Sequence, residues 1–107
     1  MKKQTVIHHG IPFDRIAIEQ FCRNNGIGKL SLFGSVLRDD FGPDSDIDVL
    51  VEFMTGEHVG FFRLYDIMEG LSQIFDGRKI DVITRGGLDS PYRSKVLNEA
   101  EVQFERS

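Results

Sequence analysis

Apolar and polar positions alternate most regularly over residues 46–53. Ile47, Val49 and Val51 interleave with Asp46, Asp48 and Leu50. That is the two-residue period of a strand, and it predicts one over 46–53. Upstream, an apolar run over 29–33 predicts a second strand, ending at Gly34-Ser35. Ile80 and Val82 oppose Asp81 and Ile83, predicting a third strand over 79–84. Helical spacing governs the rest. Phe13, Ile16, Ala17, Phe21 and Cys22 recur at three and four, predicting a helix over 12–25. Pro12 would sit in its first turn, and Asn24, Asn25 and Gly26 would stop it. Phe61, Leu64, Tyr65, Met68, Leu71 and Phe75 predict a helix over 59–75, with Gly70 as an interior flaw and Gly77 as its end. Tyr92, Val96, Ala100 and Phe104 are four apart and predict a last helix over 91–105, with Ser90 as N-cap and Pro91 first.

The connections follow from turn formers. Residues 35–40 read as a short helix or helical turn. Gly42-Pro43 marks a loop over 40–44, Gly56 a connection over 54–59, and Gly86-Gly87 a loop over 85–89. Residues 1–10 read as a frayed lead-in or an edge strand around 5–8. The order is helix, strand, short helix, strand, helix, strand, helix. This predicts a small α/β (α+β) fold, a mixed sheet of three or more strands with helices packed on one face.

Length and charge narrow the function. A chain of 107 residues is the size of one domain, spanning 1–107, without room for a second folded module. Thirteen basic and 17 acidic side chains leave a net charge of −4. That argues against broad nucleic-acid binding, which needs a basic footprint. One cysteine, Cys22, excludes an intrachain disulfide and fits a reducing compartment. No apolar run suits a signal peptide or a membrane span, so the cytoplasm is expected.

Chemistry concentrates between residues 30 and 53. Asp46 and Asp48 share one strand face. Two carboxylates so close repel unless a proton or cation lies between them, and hard oxygen donors suit magnesium or manganese. Gly34 would let the chain turn tightly or approach a ligand, and a helix starting at Ser35 or Val36 would offer free N–H groups to an anion. Asp81, inside an apolar strand, would be costly to bury unpaired. It would join Asp46 and Asp48 if the last two strands are neighbours; alone, it would be an edge-strand aspartate facing water. Competing motifs fail. A calcium loop from Asp44 needs glycine and glutamate where Val49 and Thr55 stand. Neither a dinucleotide fingerprint nor a phosphate-binding G-K-S/T loop is present.

The block over 34–51, G-S-V-L-R-D-D-F-G-P-D-S-D-I-D-V-L-V, resembles the signature of the polymerase-beta-like nucleotidyltransferase superfamily. The length resembles its minimal nucleotidyltransferases, the MNT-domain proteins. The short Ile80-Asp81-Val82 falls where that family has its third motif. The resemblance implies that Asp46 and Asp48 ligate two divalent metals, Mg²⁺ or Mn²⁺. It implies that Asp81 ligates the catalytic metal and helps activate the attacking hydroxyl. Gly34 and Ser35 would cradle the terminal phosphates of ATP. Arg38 would either contact phosphate or pair with Asp44 or Asp46. Two positions depart from the family pattern: Leu37 is larger than usual, and Asp39 stands where glycine is common.

The same resemblance implies a partner, a HEPN-domain ribonuclease toxin encoded nearby, with AMP moved from ATP onto a toxin tyrosine. Two alternatives stand beside it: a binding module that neutralises the toxin by complex formation, and a small-molecule nucleotidyltransferase. A large apolar patch on the first or last helix would favour a lasting complex. No membrane or direct nucleic-acid contact is expected, and a twofold homo-oligomer stays open. The remaining candidates read blandly. His8, His9 and His58 are exposed, Cys22 is a small core thiol, Tyr92 and Phe104 are core or interface, and Arg78-Lys79 is a solvated strand entry.

Overall fold

A computed structural model describes residues 5–8, 11–37, 42, 45–84 and 92–106. Its central strand is β4 (Ile47–Phe53), in which Ile47, Val49, Leu50 and Val51 are all buried. Burial on both faces marks an interior strand. β3 (Ile27–Phe33) pairs with it antiparallel, from Ile27 opposite Phe53 to Phe33 opposite Asp48. β5 (Ile80–Thr84) pairs with its other edge in parallel. β6 (Glu101–Glu105) covers the free edge of β3, giving a mixed four-stranded sheet ordered β5-β4-β3-β6.

Two helices bury one face of this sheet. α1 (Arg15–Asn24) contributes Ile18 and Cys22; α2 (Phe61–Ile74) contributes Ile67 and Leu71. They meet Leu30, Leu32, Ile47, Val49, Val51 and Ile80 in one core. A separate hairpin, β1 (Thr5–His8) with β2 (Ile11–Asp14), adds Ile11 and Phe13, and the Phe13 ring lies 5.2 Å from that of Phe75. No helix among the described residues is long and apolar enough to cross a membrane.

Three elements depart from the pattern reading. The first helix begins at Arg15. Pro12 and Phe13 belong to β2, because Asp14 accepts the Ile16 N–H at 3.0 Å and so caps the helix three residues later than Pro12 suggests. The short helix expected over 35–40 is a single 3₁₀ turn, Gly34–Leu37, and residues 38–40 lie outside the described residues. The last helix is two elements. α3 (Tyr92–Glu99) ends where Ala100 N–H donates to Val96 C=O, and β6 follows. A spacing of four is one helical turn but also two strand periods, so Val96, Ala100 and Phe104 fit either. The unpaired edge of β3 decides the matter. Arg106 then anchors the strand, its backbone N–H donating to Gly28 and its guanidinium to the carbonyls of Cys22, Arg23 and Ile27.

Candidate active site

The glycine that ends β3 is placed by what lies across from it. Gly34 has φ +72, in the left-handed region that favours glycine. A β-carbon there would be driven into the Asp48 carboxylate. The 3₁₀ turn therefore starts against the side chain of β4 that carries the candidate chemistry. Asp48 pairs with Phe33 on one side and with Asp81 on the other. Paired residues in a sheet share a face. Asp48 and Asp81 thus point away from the helix-covered core, on neighbouring parallel strands, as the sequence argument required.

Their environments differ. Asp48 is half-buried, whereas Asp81 is exposed on the edge strand. The burial argument for Asp81 therefore fails, and its exposure is that of a water-facing edge aspartate. Its place opposite Asp48 is what remains. Asp46 lies just before β4, partly exposed, with Lys79 Nζ 3.8 Å from its Oδ2. Ile47 N–H donates to Lys79 C=O at 2.9 Å, which ties the start of β4 to the lead-in of β5.

The three aspartates share one end of the sheet, but among the described residues no three acidic, histidine or cysteine side chains close into a metal-binding group. Magnesium does not ask for such a cage. It takes one or two carboxylates and completes its shell with phosphate oxygens and water. Asp46 and Asp48, hard donors two residues apart beside the Gly34 turn, fit that requirement. A cavity of about 430 Å³ adjoins Gly34 and Leu37 and is walled by Lys95, Glu99 and Glu101. Leu37, the bulky departure from the family pattern, packs against the core. Ser35 contributes backbone to the turn, while Arg38, Asp39 and Asp44 lie outside the described residues. A larger groove of about 580 Å³, between β2, α1 and α2, contains none of the site residues.

Other candidates resolve simply. Cys22 is buried, and burial pushes its thiol up to about 12 against the opposing charge of Arg106. It is a core residue, not a nucleophile. His58 is exposed in the connection before α2, and Phe104 is core. His9 lies outside the described residues. The sequence reading missed Arg78. Far from a solvated strand entry, it is half-buried and donates to the carbonyls of Gly42 and Ser45 at 2.6 and 3.0 Å. Its partners are more than thirty residues upstream, so no local pattern signals the contact.

The structure thus has a mixed sheet with a glycine-ended strand, a strand led by two aspartates beside it and a third aspartate on the next strand. The chain belongs to the nucleotidyltransferase domain family, whose sequence profile matches residues 15–102, and it is a nucleotidyltransferase enzyme. A Methanocaldococcus jannaschii protein that bears the name protein adenylyltransferase is 34% identical over 73 residues, 68% of this chain and 72% of that protein. A solved minimal nucleotidyltransferase aligns at 31% identity and TM-score 0.66, over 80% of this chain and 85% of its own. A complex of a tri-AMPylated Shewanella oneidensis HEPN toxin with its MNT antitoxin aligns at TM-score 0.61 over 86% of this chain and 70% of that one. At 17% identity, it bears on fold alone.

Proposed function

We propose that this chain transfers AMP from ATP to a protein hydroxyl, a tyrosine of a HEPN-type ribonuclease toxin, and so acts as that toxin's antitoxin. The observation that carries the reading is the register of β4 and β5. It sets Asp48 beside Asp81, with Gly34 against Asp48 and Asp46 two residues before it. In the proposed reaction the acceptor oxygen bonds to the α-phosphorus. The bond to the pyrophosphate oxygen breaks, and the hydroxyl proton passes to Asp81. Asp46 and Asp48, with Asp81, would hold Mg²⁺ or Mn²⁺, which offsets charge on the attacked and departing phosphates. Adenine is suggested by a relative named for protein adenylylation and by a structural neighbour whose toxin is AMPylated, whereas tyrosine as the acceptor rests on the resemblance of the 34–51 block alone.

One observation favours a second reading, in which binding itself neutralises the partner. Phe61 and Phe62 are 91% and 90% exposed, and Tyr65, one turn further along the same helix, is exposed too. This patch lies on α2, not on the first or last helix. ATP labelled at the α-phosphate separates the readings. Incubated with magnesium and the helical protein encoded beside it, the intact chain is expected to label that partner. Asp46→Asn and Asp81→Asn are expected to lose the label and the protection together. Protection that survives in both variants, with no label from the intact chain, would establish the binding module instead.

A further inference from the structure

The link between Gly42 and Ser45, the residue before Asp46, is made twice. Ser45 N–H donates to Gly42 C=O, and Gly42 N–H donates to Ser45 Oγ, each at 3.1 Å. Arg78 closes it a third time, from across the fold. One terminal guanidinium nitrogen donates to Gly42 C=O at 2.6 Å and to Ser45 C=O at 3.0 Å. Arg78 is itself held, since its own carbonyl accepts the Ser72 hydroxyl of α2 at 2.7 Å. The next residue continues the pattern. Lys79 C=O accepts the Ile47 N–H, and Lys79 Nζ stands near the Asp46 carboxylate. Asp46 is thus fixed on its N-terminal side by Arg78 and on its C-terminal side by Lys79. Two residues further on, the same segment carries Asp81.

We propose that Arg78 is a positioning residue: it locks Gly42 to Ser45 so that the Asp46 carboxylate is set, beside Asp48, for a divalent cation. The inference rests on the metal-dependent reading given above and adds the residue that orients its ligand. Groups that orient metal ligands from outside change metal affinity about ten- to a hundredfold when replaced. Lysine is no substitute at this position. It keeps the charge, but its shorter stem and freely rotating ammonium replace the rigid, planar guanidinium that holds one nitrogen against both carbonyls.

The test is Mn²⁺ affinity, measured by electron paramagnetic resonance without nucleotide or partner, for the intact protein and for Arg78→Lys, Arg78→Ala and Ser45→Ala. Circular dichroism melting shows which variants are folded. Folded Arg78 variants are expected to bind Mn²⁺ about ten- to a hundredfold more weakly. Their labelling of the partner is expected to fall more at limiting than at saturating metal. Ser45→Ala, which removes the Gly42 N–H to Ser45 Oγ bond without disturbing the α2–β5 corner, is expected to weaken binding in the same direction. A folded Arg78→Lys that melts early yet binds Mn²⁺ as the intact protein does would show a purely structural arginine and overturn the proposal; if neither Arg78 variant folds, unchanged affinity in Ser45→Ala overturns it. If the intact protein binds no Mn²⁺ either alone or with a non-hydrolysable ATP analogue added, the metal-site reading falls, and this inference with it. If the intact protein binds Mn²⁺ and labels the partner while the variants match it, only the role of Arg78 falls.

Discussion

Two left-handed glycines separate what backbone strain does from what crowding does. Gly34 and Gly56 both have positive φ, at +72 and +91. A side chain at either costs roughly 1–2 kcal/mol for the left-handed backbone alone. Around Gly56 there is open space, whereas at Gly34 the added carbon meets the Asp48 carboxylate. Gly56→Ala is therefore expected to lower stability by about 1–2 kcal/mol and leave transfer unchanged. Gly34→Ala is expected to lower stability by at least as much and to reduce transfer on the order of a hundredfold, the scale at which a small misplacement of a reacting group is felt. Chemical denaturation and partner labelling, run side by side, check both. Equal activity in the two variants would mean that the contact between Gly34 and Asp48 has no bearing on the site.

At the scale of elements, Gly70 shows why pattern reading stops where packing begins. In sequence it is a flaw in an otherwise regular helical stripe. In the fold α1 and α2 approach there, and a β-carbon on Gly70 would strike the Phe21 ring. Helix propensity alone predicts that Gly70→Ala stabilises α2 by about 1 kcal/mol. Overpacking by a methyl group costs about 1–3 kcal/mol, so the net expectation is destabilisation. Phe21→Leu in the same chain should restore part of it, because contacting residues are not additive. A stabilised Gly70→Ala would show that α1 yields freely. The same limit explains which elements were legible. β4, β5 and α2 were found because one face of each is apolar at the right period. The neighbour relation of β4 and β5, which the carboxylate argument needed, follows the expected order. β6 was hidden because four-residue spacing serves both structures, and only the open edge of β3 selects the strand. β2 was hidden because a proline two residues before an aspartate cap imitates a helix start. Asp46, Asp48 and Gly34 were visible as local motifs. Arg78 was not, since its partners Gly42 and Ser45 lie more than thirty residues upstream and nothing local marks the contact.

Over the whole molecule, the candidate chemistry and the exposed aromatic patch sit at opposite ends of the central strand. Asp46 lies just before β4 and Asp48 near its start. Phe53 closes it, and Arg63 of α2 lies over the Phe53 ring at 5.5 Å, one or two residues from Phe62 and Phe61. Seven strand residues at about 3.3 Å each put roughly 20 Å between the two ends. Arg63 also ties this end together, bonding to Glu57, to the His58 carbonyl and to the Asn25 carbonyl after α1. The aromatic side chains therefore project from a braced corner, and neither the core nor the carboxylates depend on them. Two nearly fully exposed phenylalanines on a helix start are unfavourable in water unless something covers them. The double variant Phe61→Ser, Phe62→Ser is then expected to change melting temperature little and to leave Mn²⁺ affinity unchanged. If a lasting complex is part of the protein's action, the same variant is expected to bind the partner at least tenfold more weakly, a change of about 1.4 kcal/mol or more. Calorimetric titration of partner into each protein reads this directly. Unchanged partner affinity would take the surface away from the complex-forming reading and leave the transfer reaction to account for neutralisation by itself.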